Sequence, residues 1–460
     1  MRRRVAMGFL ALACAAHGAL ETERWQAEID AAGARGGGRV VVPAGEHEVG
    51  SLLLRNGVEL HLEKGAVLKG ACARGLADYR VVEYPHSEGR WSAVVMGLSV
   101  TNVAITGEGL VYGQGERWPQ PGGPGGQQEG TRPRGIFFCD CRDIRLEGLT
   151  LTNAACWGIV CKNCDGLLAR RVVIRNHSNF NNDGFDIEAK NVLVEDCDVS
   201  SSDDALCVKS NDPSFVVENV VFRNCLVRSH CNGFKIGTAS HGIVRNVRFE
   251  HSRVRAPLGF FIGRSKGLRN FGRNFYWRPG VDERRYPNGV MCAAIAIECV
   301  DGGRVTGVTV DDIDAEACLV PVFVRGGART GRATGTPPGR FYDLSDITVS
   351  NLRAEAESSI ASSVSGVRRC PARNVTLRNV DILCRGAGAE ASRAAMSRPV
   401  PDLAGEYPEA DMFGTILPAY GLYSEYAENL TLDNVRFSLR QGTVDARPPV
   451  FSNPDRTMAR

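Results

Sequence analysis

Short apolar alternations recur along the chain, and each begins behind an Asn or Asp. The phrase Asn/Asp, apolar, x, apolar, x, x, x, apolar starts at Asn102, Asp143, Asn191, Asn219 and Asn246. It returns at Asp346, Asn374 and Asn429. Asn191 to Asn219 is 28 residues, Asn219 to Asn246 is 27, and Asp346 to Asn374 is again 28. Apolar residues at every second position predict strands, and the Gly, Asn, Asp and Ser between them predict turns. A unit this short cannot bury its own core, so such units must stack. No long amphipathic segments separate the strands, which disfavours doubly wound and barrel α/β folds. The L-x-x-L-x-L-x-x-N spacing of leucine-rich repeats is absent. The pattern predicts an all-β chain folded as a single-stranded right-handed parallel β-helix. Glu21 to Arg35 reads as a short helix that caps the first coil, and Gly36-Gly37-Gly38 ends it. Two stretches interrupt the repeat as loops, Trp118 to Arg134 and Arg385 to Met412.

Composition narrows the function. Among 460 residues, 43% are hydrophobic and 23% charged, which is globular. The net charge of +3 comes entirely from Arg2, Arg3 and Arg4; beyond residue 18 acids and bases balance. No global basic field therefore favours nucleic acid or membrane surfaces. Arg2–Arg4, the apolar run Val5–Ala16 and the small residues Ala16 and Gly18 read as an export signal over 1–18. Residues 19–460 are then one β-helix domain, exported to the periplasm or exterior and expected to be monomeric. The apolar run is too short to span a bilayer, and no later stretch is long enough.

Sixteen cysteines are many for such a chain. Cys197 and Cys225 lie 28 residues apart in matching contexts, and Ser252 follows 27 later. This spacing predicts small residues stacked at one position of successive coils, without disulfides. The Cys161-x-x-Cys164 pair has no second pair to complete a zinc site. Neither metal nor cofactor is expected.

The chemistry concentrates in Asn181-Asn182-Asp183-Gly184-Phe185-Asp186 and in Ser202-Asp203-Asp204-Ala205-Leu206-Cys207-Val208-Lys209-Ser210. Asp183 and Asp203 are 20 residues apart, close to one coil. Coils stack ~4.8 Å apart, so these acids are predicted neighbours on one face. Clustered carboxylates divide into protonated acid and ionised base, because like charges push pKa values apart. That is what glycoside hydrolysis requires. Asp143, Asp165 and Asp346 read instead as ordinary turn residues.

These two motifs resemble the N-T-D-G-x-D and G-D-D-x-I-x-x-K-S motifs of the polygalacturonase family of glycoside hydrolases (family 28). The opening Ala31–Gly45, the segment Leu60–Ala66 and the late segment Tyr407–Tyr423 are similar to members of bacterial type. The resemblance implies hydrolysis with inversion of an acidic, pectin-like polysaccharide, of polygalacturonase or rhamnogalacturonan-hydrolase type. It implies Asp203 as general acid, with Asp183 and Asp204 holding and deprotonating the water. Two departures bear on the substrate. Asn232 stands where the family's G-H-G-I-S-I-G has its histidine, and His230 lies two residues early. The family's R-I-K falls near Phe261 to Gly263, where Phe261 replaces the Arg and Gly263 the Lys.

Alternation turns Asp186, Lys209 and Lys235 outward onto the substrate face. Together with Asn232, Phe261 and Arg264 they are the predicted sugar contacts. Trp157 is a further candidate for stacking. The Arg385–Met412 loop is expected to close one end of the cleft and favour exo-action. Two other functions share the fold: a catalytically silent glycan-binding β-helix, and a polysaccharide lyase.

Overall fold

The computed structural model describes residues 20–83, 90–119, 129–259, 282, 284–329, 341–413 and 416–456. Among them, successive strands pair in parallel with the strands of the next coil, from Gly38–Val42 to Val450–Ser452. Only the small Val82–Glu83/Arg90–Trp91 pair is an antiparallel ladder. The parallel β-helix expected from the repeat is therefore the fold.

Register explains the core. On one sheet, Ile159, Phe185, Leu206, Phe234, Ile295 and Val322 stack in one column. On another, Val192, Val220, Val247, Val308, Ile347 and Val375 do the same. All of these side chains are buried. Each coil thus covers the apolar face of its neighbour, which no single unit achieves alone.

The turn between sheets is set by the residue that opens each repeat. All eight of Asn102, Asp143, Asn191, Asn219, Asn246, Asp346, Asn374 and Asn429 have φ between 50° and 58°. Asn and Asp tolerate this left-handed region better than other side-chain-bearing residues. Their amides also stack: Asn191 donates to Asp165 (2.7 Å), Asn219 to Asn191 (2.9 Å) and Asn246 to Asn219 (2.6 Å). Asp143 and Asp346 hold these turns, as read from the sequence, while beside Asp165 it is Gly166 that takes the positive φ (83°) and Asp165 lies in the strand Ile159–Arg170, accepting from Asn191.

The helix Thr22–Ala34 lies on the first coil, burying Trp25, Ile29 and Ala32. Gly36, Gly37 and Gly38 all follow it with positive φ. The described cysteines form no disulfide. Cys197, Cys225 and Ser252 are buried in successive coils, with the Cys225 amide donating to Ser252 Oγ. Cys161 and Cys164 face the core. The Arg385–Met412 stretch is not all loop: Ala389–Ser397 is a helix, with an amphipathic Ala-rich sequence. Residues 120–128 of the other interrupting segment lie outside the described residues, as does the 1–18 segment.

Candidate active site

Asp183 closes the turn before the strand Phe185–Glu195, and Asp203-Asp204 closes the turn before Leu206–Ser210. The two strands pair Phe185 with Leu206 and Asp186 with Cys207. The carboxylates are consequently brought together by stacking. Asn182 fixes the first turn: its buried amide donates to the carbonyls of Ala154 (2.8 Å) and Cys156 (2.9 Å). Gly184 permits the close approach, since a Cβ there would stand 2.3 Å from the Ala205 carbonyl oxygen. In the second turn, Ser201 and Ser229 hydroxyls donate to the Asp203 carbonyl (2.7 and 2.6 Å). The Asp204 amide donates to Asp203 Oδ1 (2.9 Å).

Two lysines divide the acids. Lys209 pairs with Asp183 (3.2 Å) and, more tightly, with Asp186. Its ammonium also lies 4.2 Å from the centre of the Trp157 ring. Lys235 pairs with Asp204 (3.1 Å) and stands 4.0 Å from Glu298. Asn232 donates to the other oxygen of Asp204 (2.8 Å). Lys209 and Lys235 face outward from the coil, as alternation predicted, but Lys235 is only 1% exposed and both are ion-paired. They are parts of the site and not solvated surface lysines.

The acids are in different electrostatic states. Burial and the neighbouring Asp186 push the Asp183 carboxyl well above the usual carboxylate range, and Lys209 offsets this only in part. Burial also acts on Asp204, but Lys235, Lys209 and the Asn232 bond together outweigh it and hold the carboxyl below its ordinary value. Asp203 is the most exposed of the three, at 8%. The arrangement sets carboxyls shifted in opposite directions side by side, with the buried Asp203 the least covered of the three.

Asn232 therefore occupies the histidine's expected position as a hydrogen-bond donor to Asp204. His230 points elsewhere: Nε2 donates to the Asn288 carbonyl (2.8 Å), and the ring packs edge-on against His177. The strand stacked on Asn232–Ser240 is Met291–Cys299, with Lys235 opposite Ala296. The basic pair sought near Phe261 thus does not fall on the next stacked strand. The preceding described strand ends at Arg255, and Ala294, Ala296 and Glu298 stand on Met291–Cys299. Phe261 and Arg264 lie outside the described residues.

Sequence reasoning missed Glu298 and Glu409. Glu298 is buried 4.0 Å from Lys235 Nζ, and burial pushes its pKa up to about 7. Alternation after Ile295 and Ile297 would have placed it outward beside Lys235. Glu409 arrives from the segment after the helix Ala389–Ser397, and no local spacing announces that contact. The same segment sets the Tyr407 ring 5.6 Å from Lys235 Nζ and 5.3 Å from the Arg329 guanidinium.

Residues 34–257 match the family model described as Glycosyl hydrolases family 28. A probable polygalacturonase of Vitis vinifera is 27% identical over 313 residues, covering 59% of this chain and 62% of that protein. The chain thus spans about six-tenths of that relative's length. Among solved structures, the fold is similar to a hyperthermoactive exopolygalacturonase from Thermotoga maritima (TM-score 0.62, 21% identity, 90% of this chain and 88% of the other). It is also similar to a family 28 exopolygalacturonase from Yersinia enterocolitica (TM-score 0.60, 15% identity, 95% and 76%). No helix among the described residues is long and apolar enough to cross a membrane.

Proposed function

We propose that this chain, whose residues 34–257 belong to glycosyl hydrolase family 28, is a glycosidase that cleaves an acidic, pectin-like polysaccharide. The observation that carries this reading is the set Asp183, Asp203 and Asp204, gathered from consecutive coils under Lys209 and Lys235. Asp203, at the solvent edge, is the general acid that protonates the leaving oxygen. Asp204, kept ionised by Lys235 and Asn232, accepts the proton of the attacking water. Asp183 positions that water. A raised pKa suits it to hydrogen bonding and leaves the role of base to Asp204.

Lys209, Lys235, Asp186 and Asn232 orient the sugar, and Phe261 and Arg264, outside the described residues, are further candidates from the sequence. Tyr407 sits over Lys235 and supports closure of one end of the face, in keeping with exo-action. The names of the Thermotoga and Yersinia proteins agree with that mode. The chain is read as an exported monomer after removal of residues 1–18. N-terminal sequencing of the exported protein checks the cleavage point.

Incubation with polygalacturonan and rhamnogalacturonan oligosaccharides, with and without chelator, tests the activity. Saturated products establish hydrolysis, and the better substrate identifies the sugar. Unsaturated ends would overturn the reading in favour of a lyase. Binding without turnover would overturn it in favour of a silent glycan-binding β-helix. The nearest oxygens of Asp203 and Asp204 lie within 4.8 Å. This is closer than the ~6.5–9.5 Å between carboxyls that flank the water of an inverting site. The anomer first released, followed by NMR, is accordingly the direct test of inversion.

A further inference from the structure

Beside the acid set, two cysteines and a glutamate converge in a way the hydrolytic chemistry does not use. Cys231 Sγ, Cys292 Sγ and a carboxylate oxygen of Glu409 all lie within 4.8 Å of one another, and all three residues are buried. The cysteines come from consecutive stacked strands, where the Cys292 amide donates to the Cys231 carbonyl (2.6 Å). Glu409 comes from a distant segment, 178 residues further along than Cys231, with Oε1 4.0 Å from Cys231 Sγ. Its other oxygen, Oε2, is buried with no hydrogen-bond partner among the described residues, although the residue is only 7% exposed.

Two features separate Cys231 from the other stacked cysteines, while Cys292 Sγ lies 3.9 Å from the His230 carbonyl oxygen. Cys197 and Cys225 direct their thiols at backbone carbonyls, as small core residues do. Cys231 Sγ instead faces a carboxylate and accepts an N–H from Asn232 Nδ2 (3.3 Å). Donation to sulfur stabilises a thiolate. An unpaired buried carboxylate is expensive, costing several kcal/mol unless it is neutralised or paired. A cation between the three groups supplies that partner.

We propose that Cys231, Cys292 and Glu409 bind a zinc-class divalent cation. Two sulfur donors with one carboxylate suit a borderline-soft ion and not calcium or magnesium. Both thiols lose their protons on binding, and these leave to solvent. Two thiolates and a carboxylate around a divalent ion leave one negative charge. Three protein ligands leave a fourth position for water. The ion would clamp the Tyr407–Glu409 segment onto the coil stack.

The test needs no hydrolase activity. Reduced, chelator-treated full-length protein is titrated with cobalt(II) and followed by absorption. The expected result is one equivalent bound, with an intense thiolate-to-cobalt charge-transfer band and the visible bands of a tetrahedral site. Zinc should bleach both. Cys292→Ser and Glu409→Gln should each weaken binding at least tenfold, and Cys197→Ser should not change it. Absence of a charge-transfer band in the folded wild-type protein overturns the proposal, and so does a band that survives both substitutions. Because this readout is optical, failure of the metal site and failure of the hydrolase reading are distinguished.

Discussion

Lys235 is shared by two buried carboxylates in opposite states. Asp204, in contact, is held ionised; Glu298, at 4.0 Å, is pushed up to about 7. A buried acid with a raised pKa favours the folded state while protonated. Glu298 thus contributes stability that is full below its ordinary value of 4.5 and is lost as pH rises through about 7. The size is on the order of 3 kcal/mol. Glu298→Gln should remove that slope, so urea midpoints should fall less between pH 4 and 8 than in the wild type (a window of about four pH units around this titration). A wild-type slope retained in the variant would show that another group titrates there.

Asp203→Asn should reduce turnover by roughly 10²–10⁴-fold, the usual contribution of a general acid. The circular dichroism spectrum should not change, because the Asp203 carbonyl keeps the Ser201 and Ser229 bonds and Asn retains an Oδ1 for the Asp204 amide. Near-normal turnover in a folded variant would remove Asp203 from the acid role. The three aspartates were legible in the sequence because they lie just before two strands of adjacent coils, Asp183 before Phe185–Glu195 and Asp203-Asp204 before Leu206–Ser210. Glu298 and Glu409 were not. One depends on which strand stacks next after a long connection, and the other on a segment folding back across the sheet.

At the scale of the element, the Asn ladder joins conformation to stacking. Asn219 holds φ 58° while donating to Asn191 and accepting from Asn246. Asn219→Ala loses both bonds and puts a Cβ in a left-handed turn, for an expected loss of about 1–2 kcal/mol. Asn219→Gly keeps the turn and should lose less. Equal losses in denaturant unfolding would mean that the amide ladder, and not the backbone, carries the stability. The repeat phrase was readable because this turn requires Asn or Asp at one fixed place per coil. The same counting placed the strand Ile243–Arg255 through Asn246, but not the strand that stacks next on Asn232–Ser240. The expectation near Phe261 assumed the next coil at once, whereas residues 256–290 intervene before Met291–Cys299. Spacing reports coils only while no connection lengthens.

The whole molecule is a stack in which each coil depends on its neighbours, and the helix Thr22–Ala34 covers one end. Trp25 is buried there, edge-on to His47 at 5.2 Å. Trp25→Ala should remove about 3–5 kcal/mol of packing. In a nearest-neighbour array the damage should stay local. Hydrogen exchange should rise in Gly38–Val42 and Val58–Leu62 while Phe185–Glu195 stays protected. Uniform loss of protection would show that the stack unfolds as a single unit.

The long connection at 256–290 has a consequence for how such a molecule can change. Length added between Arg255 and Met291 leaves Phe234 stacked on Ile295 and Val247 on Val308. One residue added inside a strand would instead turn every following side chain to the opposite face. Mutation can therefore change the length of chain between coils freely, while the stack that carries the acids accepts change only in whole coils. New substrates can be reached by editing connections, with the chemistry inherited intact.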